Sequence, residues 1–198
     1  MAATTGARVA GIARAGDPQA IDLGRRLFFE RRLSIDGTMS CATCHQPLLA
    51  FADARKRSQG RQTLDRNAPS LWNAVHERWY GWDGAADSLW AQSIRPILHA
   101  HEMDATPQHV RDTLARDAEL SCRYRQAFGH VPEDDPETVL VNASKAIGAF
   151  VSTLVSGRTK NGSPVSPNSP LLNSGPTWHR WQLPRPTNSL SPRCAGSG

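Results

Sequence analysis

Apolar residues recur at helical spacing in several segments of this 198-residue chain. The clearest predicted helix begins with Asp135 as its cap and Pro136 as its first residue, and it is expected to end at Gly157. Its apolar stripe consists of Leu140, Ala143, Ile147, Phe150 and Leu154. This i, i+3, i+7 pattern predicts a helix that buries one face.

Three further helices are predicted from caps, prolines and apolar spacing. The first spans residues 17–29, where an aspartate precedes a proline. The second runs from an Asp87 cap to about Leu98, with Pro96 as a kink or terminator, and the third runs from Thr106 to about residue 120. No segment alternates apolar and polar residues with β-branched enrichment, so we predict an all-α fold.

The segments between these helices have a loop composition. Residues 34–70 are rich in Gly, Ser, Asp, Pro and Asn, and only a short helical turn is predicted there, at residues 41–45. Residues 161–198 contain seven Pro, four Gly, seven Ser and no acid. We therefore expect a flexible N terminus at 1–16, one loop-rich folded domain at 17–157 and a disordered Pro/Ser-rich tail at 158–198.

The charge distribution argues against a nucleic-acid-binding protein, and the length of the apolar runs argues against a membrane-spanning helix. The net charge is +5, but three of the 23 basic residues and none of the 18 acids lie in residues 161–198, so the body is nearly balanced. A nucleic-acid-binding protein is expected to show a basic face or stripe, which is lacking here. The longest apolar runs fall far below the roughly 18 residues of a spanning helix, and residues 1–20 lack the apolar core of a signal peptide.

The motif with the most specific chemistry is Cys41-Ala42-Thr43-Cys44-His45. This is the attachment pattern for c-type haem. Two thiols three residues apart lie on one helical turn and can reach the two vinyl groups of a porphyrin. The adjacent His45 can then give an imidazole nitrogen to the iron. We predict one covalently bound haem c.

Zinc and redox thiols are the alternatives for the same cysteines. A zinc ribbon needs a second C-x-x-C or a suitably spaced histidine pair, and neither Cys122 nor Cys194 supplies one. A thioredoxin-like site needs a βαβ context, which the helical pattern does not support. The sequence favours haem over both.

The second axial side of the iron would decide between two activities. A strong second ligand is typical of electron transfer, whereas an open side with a placed acid or base activates peroxide. His99 and His101 alternate at a helix end and are expected to point in different directions, so no metal pair is predicted. The candidates for this side are Met39, Met103, His76, His99, His101, Gln92 and Glu102.

Several stretches together resemble the N-terminal half of the bacterial di-haem cytochrome c peroxidases, the family that includes MauG-type enzymes. The resemblance covers about residues 17–157 and implies a cytochrome c-like haem domain. The stretches are Leu23 to Phe29, Leu33 to His45, Phe51 with Asp53, Arg66 to Asn73 and Trp82 to Met103.

The resemblance implies roles around one haem. His45 would be the proximal iron ligand. Gln92 and Glu102 match the family's distal polar pair, in which the carboxylate moves a proton between the two peroxide oxygens. Pro96 would pack over the same distal face and limit the access of water. A solvated surface acid is the alternative for Glu102.

Two further roles are implied at the edge of this site. Trp82 matches the aromatic residue that lies between the two haems and relays an electron, and its alternative is a core aromatic beside an Asp-Gly turn. Asn67 would be one ligand of a calcium ion, and its alternative is a helix cap.

Two departures from the family pattern shape the functional hypotheses. Residues 46–75 contain no histidine that could block the iron, so an open distal side is expected, as in the MauG-like branch. No second C-x-x-C-H occurs, so the second haem domain is expected to be absent.

The main hypothesis is an oxidoreductase that reduces hydrogen peroxide with electrons from a cytochrome or similar small redox protein. A mono-haem electron-transfer module and an inactive truncated fragment are the alternatives. Since c-type haem is loaded in an oxidising compartment, a periplasmic location is expected.

Overall fold

The computed structural model describes residues 14–133, 135–156 and 194. Within these residues the fold is all-α, as predicted, with backbone pairing outside helices limited to isolated bridges. The helices are α1 (Pro18–Phe28), α2 (Cys41–Cys44), α3 (Leu89–Leu98), α4 (Pro107–Arg116), α5 (Ala118–Phe128) and α6 (Pro136–Val151). Single 3₁₀ turns lie at Arg31–Leu33, Pro47–Leu49 and Ala74–His76.

The first predicted helix is confirmed as α1. The Asp17 carboxylate accepts hydrogen bonds from the backbone N–H groups of Gln19 and Ala20, at 3.0 and 3.3 Å. Pro18 occupies the first helical position, where its missing N–H costs nothing. The buried side of α1 includes Leu23 and Leu27.

The predicted starts and ends of three other helices are partly wrong. The cap of α3 is Ser88 and not Asp87, since the Ser88 hydroxyl accepts from the Ala91 N–H at 3.4 Å. The helix predicted to reach residue 120 ends at Arg116, because Asp117 adopts an extended backbone and caps the unpredicted α5. The last helix ends at Val151, six residues before the predicted Gly157.

Helix α6 lies at the centre of the hydrophobic core, with α1, α3 and α4 packed against it. The expectation that it buries a single face is wrong for its second half, where residues 146–151 are all buried. A helix buried on all sides carries small and apolar residues around its whole circumference, so periodicity underestimates its burial. Leu154, beyond the end of α6, is still buried.

Helices α1 and α6 approach each other closely at Gly24. A β-carbon added there would overlap the Ala146 carbonyl oxygen of α6. Glycine is therefore required by the contact between the two helices and not by its own backbone conformation.

We expect Gly24→Ala to lower the free energy of unfolding. Helix propensity alone would stabilise this variant by about 1 kcal/mol, whereas overpacking a helix contact costs about 1–3 kcal/mol or more. Urea unfolding of the haem-loaded chain measures whether the free energy of unfolding falls or rises. The control is Gln19→Ala on the exposed side of α1, which is expected to leave stability nearly unchanged, and a stabilised Gly24→Ala would contradict the packing.

The region between α1 and α3 consists mainly of loops and single helical turns, and it contains the Cys-x-x-Cys-His motif. Apart from residue 194, the predicted tail lies outside the described residues, and so does most of the predicted flexible N terminus. Among the described helices, none combines the length and apolar character needed to cross a membrane.

Candidate haem site

Helix α2 is a single turn that carries both cysteines of the motif. The Ser40 N–H donates to the Thr43 hydroxyl at 3.0 Å, which closes the start of the turn. The His45 N–H donates to the Cys41 carbonyl at 2.9 Å, so the helix ends at the histidine. The predicted turn at residues 41–45 is confirmed, and Cys41 packs against the hydrophobic core.

The two thiols are in the protonated form at neutral pH. Burial raises the pKa of Cys41 to about 12, with smaller contributions from Cys44 and Glu102. Burial also raises the pKa of Cys44 to about 11. Redox-active cysteines require a stabilised thiolate, so this environment does not favour a redox role. In the described part of the chain no group of three or more His, Cys, Asp or Glu side chains could hold a metal ion.

The His45 ring is held by two backbone carbonyls. Its Nδ1 lies 3.0 Å from the Phe51 oxygen and 3.1 Å from the Pro69 oxygen. Carbonyl oxygens only accept hydrogen bonds, so Nδ1 must carry the proton and Nε2 keeps its lone pair. Burial lowers the pKa of His45, which keeps the imidazole neutral. This is the tautomer that a histidine needs to bind a metal through Nε2.

The loop after His45 brings the Phe51 carbonyl back to the ring. Ala50 and Phe51 both have left-handed backbones, with φ of 57° and 55°. The Phe51 N–H donates to the Gln46 carbonyl at 2.8 Å, which closes the loop. The Phe51 ring packs edge-on against Phe28 and Trp72, each at 6.0 Å between centroids. Strained non-glycine residues of this kind cluster at functional sites.

Glu102 and Cys44 both lie beside residues 59 and 60. A β-carbon added at Gly60 would lie 3.3 Å from the Glu102 Cα, and the Cys44 Sγ lies 4.0 Å from the Gln59 carbonyl oxygen. The negative charge of Glu102 also raises the pKa of Cys41 and of Cys44. Burial raises the pKa of Glu102 itself, against the opposing charges of His99 and Arg95. Its side chain is 28% exposed, with Oε1 3.6 Å from Nδ1 of His99. The carboxylate is thus not the freely solvated surface acid of the alternative interpretation.

Gln92 presents an unpaired polar atom from α3. Its Oε1 is buried and has no hydrogen-bond partner among the described residues. Gly81 and Arg95 are neighbours of this oxygen. A β-carbon added at Gly81 would lie 3.1 Å from the oxygen and 2.9 Å from Nη1 of Arg95. Buried polar atoms normally have a hydrogen-bond partner. The unpaired Oε1 therefore favours the binding of a ligand that donates a hydrogen bond to it. The structure shows no direct contact between Gln92 and Glu102, although the charge of Arg95 acts on Glu102.

Trp82 and Asn67 are joined by a hydrogen bond. The indole Nε1 donates to the Asn67 backbone carbonyl at 2.8 Å. The interpretation of Trp82 as a core aromatic is wrong, because its side chain is 60% exposed. A large exposed aromatic fixed by a hydrogen bond is typical of a contact surface. Neither the calcium role of Asn67 nor the relay role of Trp82 is tested by this bond.

The remaining candidates divide between the core and the surface. Met103 belongs to the hydrophobic core, and Pro96 is half-buried in α3, where its carbonyl accepts from the Met103 N–H at 3.1 Å. His99 and His101 do not point apart as predicted, since their rings lie 5.4 Å apart in an edge-on arrangement. The reason is that α3 ends at His99, whose extended backbone abolishes helical geometry. His76 is exposed and Met39 is buried.

The side chains gathered around α2 and His45 fit a covalently attached haem. The site offers two protonated thiols on one turn, an imidazole with a free Nε2 and an unpaired buried amide oxygen. Sequence reasoning missed the two carbonyls that orient His45, because backbone acceptors leave no residue signature. It also assigned no role to Asp53, although Phe51 and Asp53 were both part of the family resemblance.

Comparison with known proteins identifies the family of the chain. The family model for di-haem cytochrome c peroxidases matches residues 18–166. The chain is 37% identical over 142 residues to the methylamine utilization protein MauG of Methylorubrum extorquens, covering 71% of this chain and 39% of that protein. It is 38% identical over 139 residues to the cytochrome c551 peroxidase of Pseudomonas aeruginosa, covering 69% and 39% respectively.

Solved structures give the same result. The diheme peroxidase BthA of Burkholderia thailandensis matches with a TM-score of 0.65 and 29% identity, covering 74% of this chain and 41% of that one. A MauG-like protein associated with microbial copper homeostasis matches with a TM-score of 0.63 and 30% identity, covering 74% and 43%. The chain spans about two fifths of the length of these relatives, 39% for both curated sequences.

Proposed function

Because the chain belongs to the di-haem cytochrome c peroxidase family, we propose that it is a haem oxidoreductase that reduces hydrogen peroxide. Cys41 and Cys44 would hold one haem c through thioether bonds, and His45 would bind its iron. The electrons would come from a cytochrome or a similar small redox protein. The proposed location is the periplasm, where covalent haem is attached under oxidising conditions.

The observation that carries this proposal is the pair of carbonyls at Nδ1 of His45. They fix the proton on the ring nitrogen that faces the protein and leave Nε2 as a lone-pair donor. They also make the imidazole a stronger electron donor toward a metal, since a hydrogen-bonded Nδ1–H carries partial negative charge back into the ring.

When bound, the haem supplies an iron centre that can pass electrons to peroxide. The residues of the chain would bind the peroxide and move its proton. A Glu102 carboxylate can take the proton from one peroxide oxygen and deliver it to the other, which makes water the leaving group. Gln92 can hold the peroxide by hydrogen bonds but cannot carry the proton. Its unpaired buried Oε1 supports this role.

Pro96, Trp82 and Asn67 complete the proposed site. Pro96 has no N–H and presents an apolar ring, so it would limit water at the distal face. Trp82 would relay electrons toward the haem, and its exposed ring supports a place on a contact surface. Asn67, whose carbonyl holds the Trp82 indole, would contribute to a calcium site.

The proposal predicts that His45→Ala keeps its haem but loses the iron ligand. The two thioether bonds do not depend on the imidazole, so the haem is expected to stay attached. Its absorbance spectrum is expected to change, and added imidazole is expected to restore the parent spectrum by filling the vacated space. Titration of the loaded variant with imidazole, followed by absorbance, measures this.

His101→Ala is the control, because His101 is an exposed histidine near the same site. It is expected to keep the parent spectrum and to show no response to imidazole beyond that of the parent. A His45→Ala spectrum identical to that of the parent would mean that another residue binds the iron.

A further inference from the structure

Asp53 is a buried carboxylate in the loop region next to α2. Its side chain accepts a hydrogen bond from the Ser58 hydroxyl, and its residue is only 5% exposed while Ser58 is 1% exposed. The Arg55 N–H donates to Oδ1 at 3.2 Å, and the Ser58 N–H donates to the Arg66 carbonyl at 3.0 Å. Asp53 therefore holds two points of the loop directly and is joined through Ser58 to Arg66.

These points flank the two carbonyls that orient His45. Asp53 follows Phe51 by two residues, and Arg66 precedes Pro69 by three. Phe51 and Pro69 are 18 residues apart along the chain. The hydrogen bonds of Ser58 to the Asp53 carboxylate and to the Arg66 carbonyl join the two loops. The Ser70 hydroxyl adds a second link, since it donates to the Ala50 carbonyl at 2.6 Å.

The Asp53 carboxylate is also a buried negative charge. Burial raises its pKa, but the hydrogen bonds from Ser58 and Arg55 oppose this effect, and the pKa is lower than that of an ordinary aspartate. All of these donors are neutral groups, and no salt bridge reaches Asp53 in the part of the chain that the structure describes. The charge is therefore not cancelled locally, and it acts on His45.

We propose that Asp53 is the positioning residue of the iron ligand: it clamps the Phe51 and Pro69 carbonyls onto Nδ1 of His45 and places a negative charge behind the ring. This inference rests on the proposed function, because it needs a haem bound through His45. Both effects stabilise the oxidised iron. Asp53 thus sets the electron-donating strength of the ligand without touching the haem or the peroxide.

The test compares Asp53→Asn with the parent in the haem-loaded full chain. Asparagine keeps the shape of the side chain but loses its charge and one acceptor. We expect the reduction equilibrium to shift about tenfold toward the reduced iron, which is about 59 mV for one electron. We also expect a lower iron–histidine stretching frequency in resonance Raman spectra of the reduced protein, because a weaker bond at Nδ1–H makes His45 a weaker donor.

Two control variants separate this role from a general loss of stability. Ser58→Ala removes one donor to the carboxylate and keeps the charge, so a smaller shift in the same direction is expected. Asp65→Asn removes an exposed acid of the same loop region and is expected to leave the potential and the Raman band unchanged. If Asp53→Asn does not load haem, the inference is tested by Ser58→Ala and Asp65→Asn. It then holds only if Ser58→Ala shifts the potential and Asp65→Asn does not.

The outcomes distinguish this inference from the proposed function. A parent chain that holds no covalent haem, or whose iron is not bound by His45, overturns the proposed function. A parent chain with His45-bound haem, combined with an unchanged potential and Raman band in both Asp53→Asn and Ser58→Ala, overturns the role of Asp53 and leaves the proposed function intact.

Discussion

The double variant Cys41→Ala, Cys44→Ala is expected to lose covalent haem completely. The two thiols lie on one helical turn and form no disulfide with each other. Each sulfur is therefore free to form a thioether bond with a vinyl group during maturation, and no other pair of cysteines at this spacing exists in the sequence. A denaturing gel stained for haem measures the loss, because only covalently attached haem survives denaturation.

Thr43→Ser is the matched control within the motif. It keeps the hydroxyl that accepts from the Ser40 N–H, so haem attachment is expected to be unchanged. Single substitutions at Cys41 or Cys44 are expected to leave one thioether and a weaker stain. A double variant that keeps the full stain would show that the haem is attached elsewhere.

Glu102→Gln is expected to slow peroxide cleavage by about 10²–10⁴-fold, the usual scale for loss of a general acid–base group. The amide has nearly the same shape as the carboxylate but cannot carry a proton between the two oxygens. Stopped-flow mixing of the haem-loaded chain with one equivalent of hydrogen peroxide measures the rate. Gln92→Leu is expected to cost less, since Gln92 only orients the peroxide.

The pH dependence of the rate of peroxide cleavage also tests the role of Glu102. Burial raises the pKa of Glu102 above the ordinary value of 4.5, so the active carboxylate is lost as the pH falls through that higher value. The rate of the parent should fall there, and the rate of Glu102→Gln should not show this limb. Glu77→Gln, at an exposed acid, is the control. An equal rate in Glu102→Gln and the parent would place the proton carrier elsewhere.

Local signals in the sequence predicted the helix starts better than the helix ends. The caps at Asp17 and Asp135 are set by the aspartate and the proline that follows it, so they can be read from adjacent residues. The break at Asp117 depends on one extended residue between two polar helices, α4 and α5, and the apolar pattern continues across it. The contact at Gly24 depends on α6, which is more than one hundred residues away in the sequence.

In the candidate site too, some parts can be predicted from adjacent residues and others depend on the fold. The thiols and His45 form one contiguous motif, and α2 matches its predicted turn. The acceptors at Phe51 and Pro69 are backbone atoms, and their placement depends on left-handed residues that are not glycine. No sequence pattern marks such positions. Asp53 shows its role only through the two donors, Ser58 and Arg55, that the fold brings to its carboxylate.

The ultraviolet–visible spectrum of the haem-loaded chain, recorded before and after one equivalent of hydrogen peroxide, tests most directly whether the chain holds a covalent haem that reacts with peroxide. We expect haem absorbance that stays with the chain through denaturation and, in the folded chain, a change in the spectrum on the single addition. Absorbance that separates from the denatured chain, or a folded-chain spectrum that peroxide leaves unchanged, would contradict it.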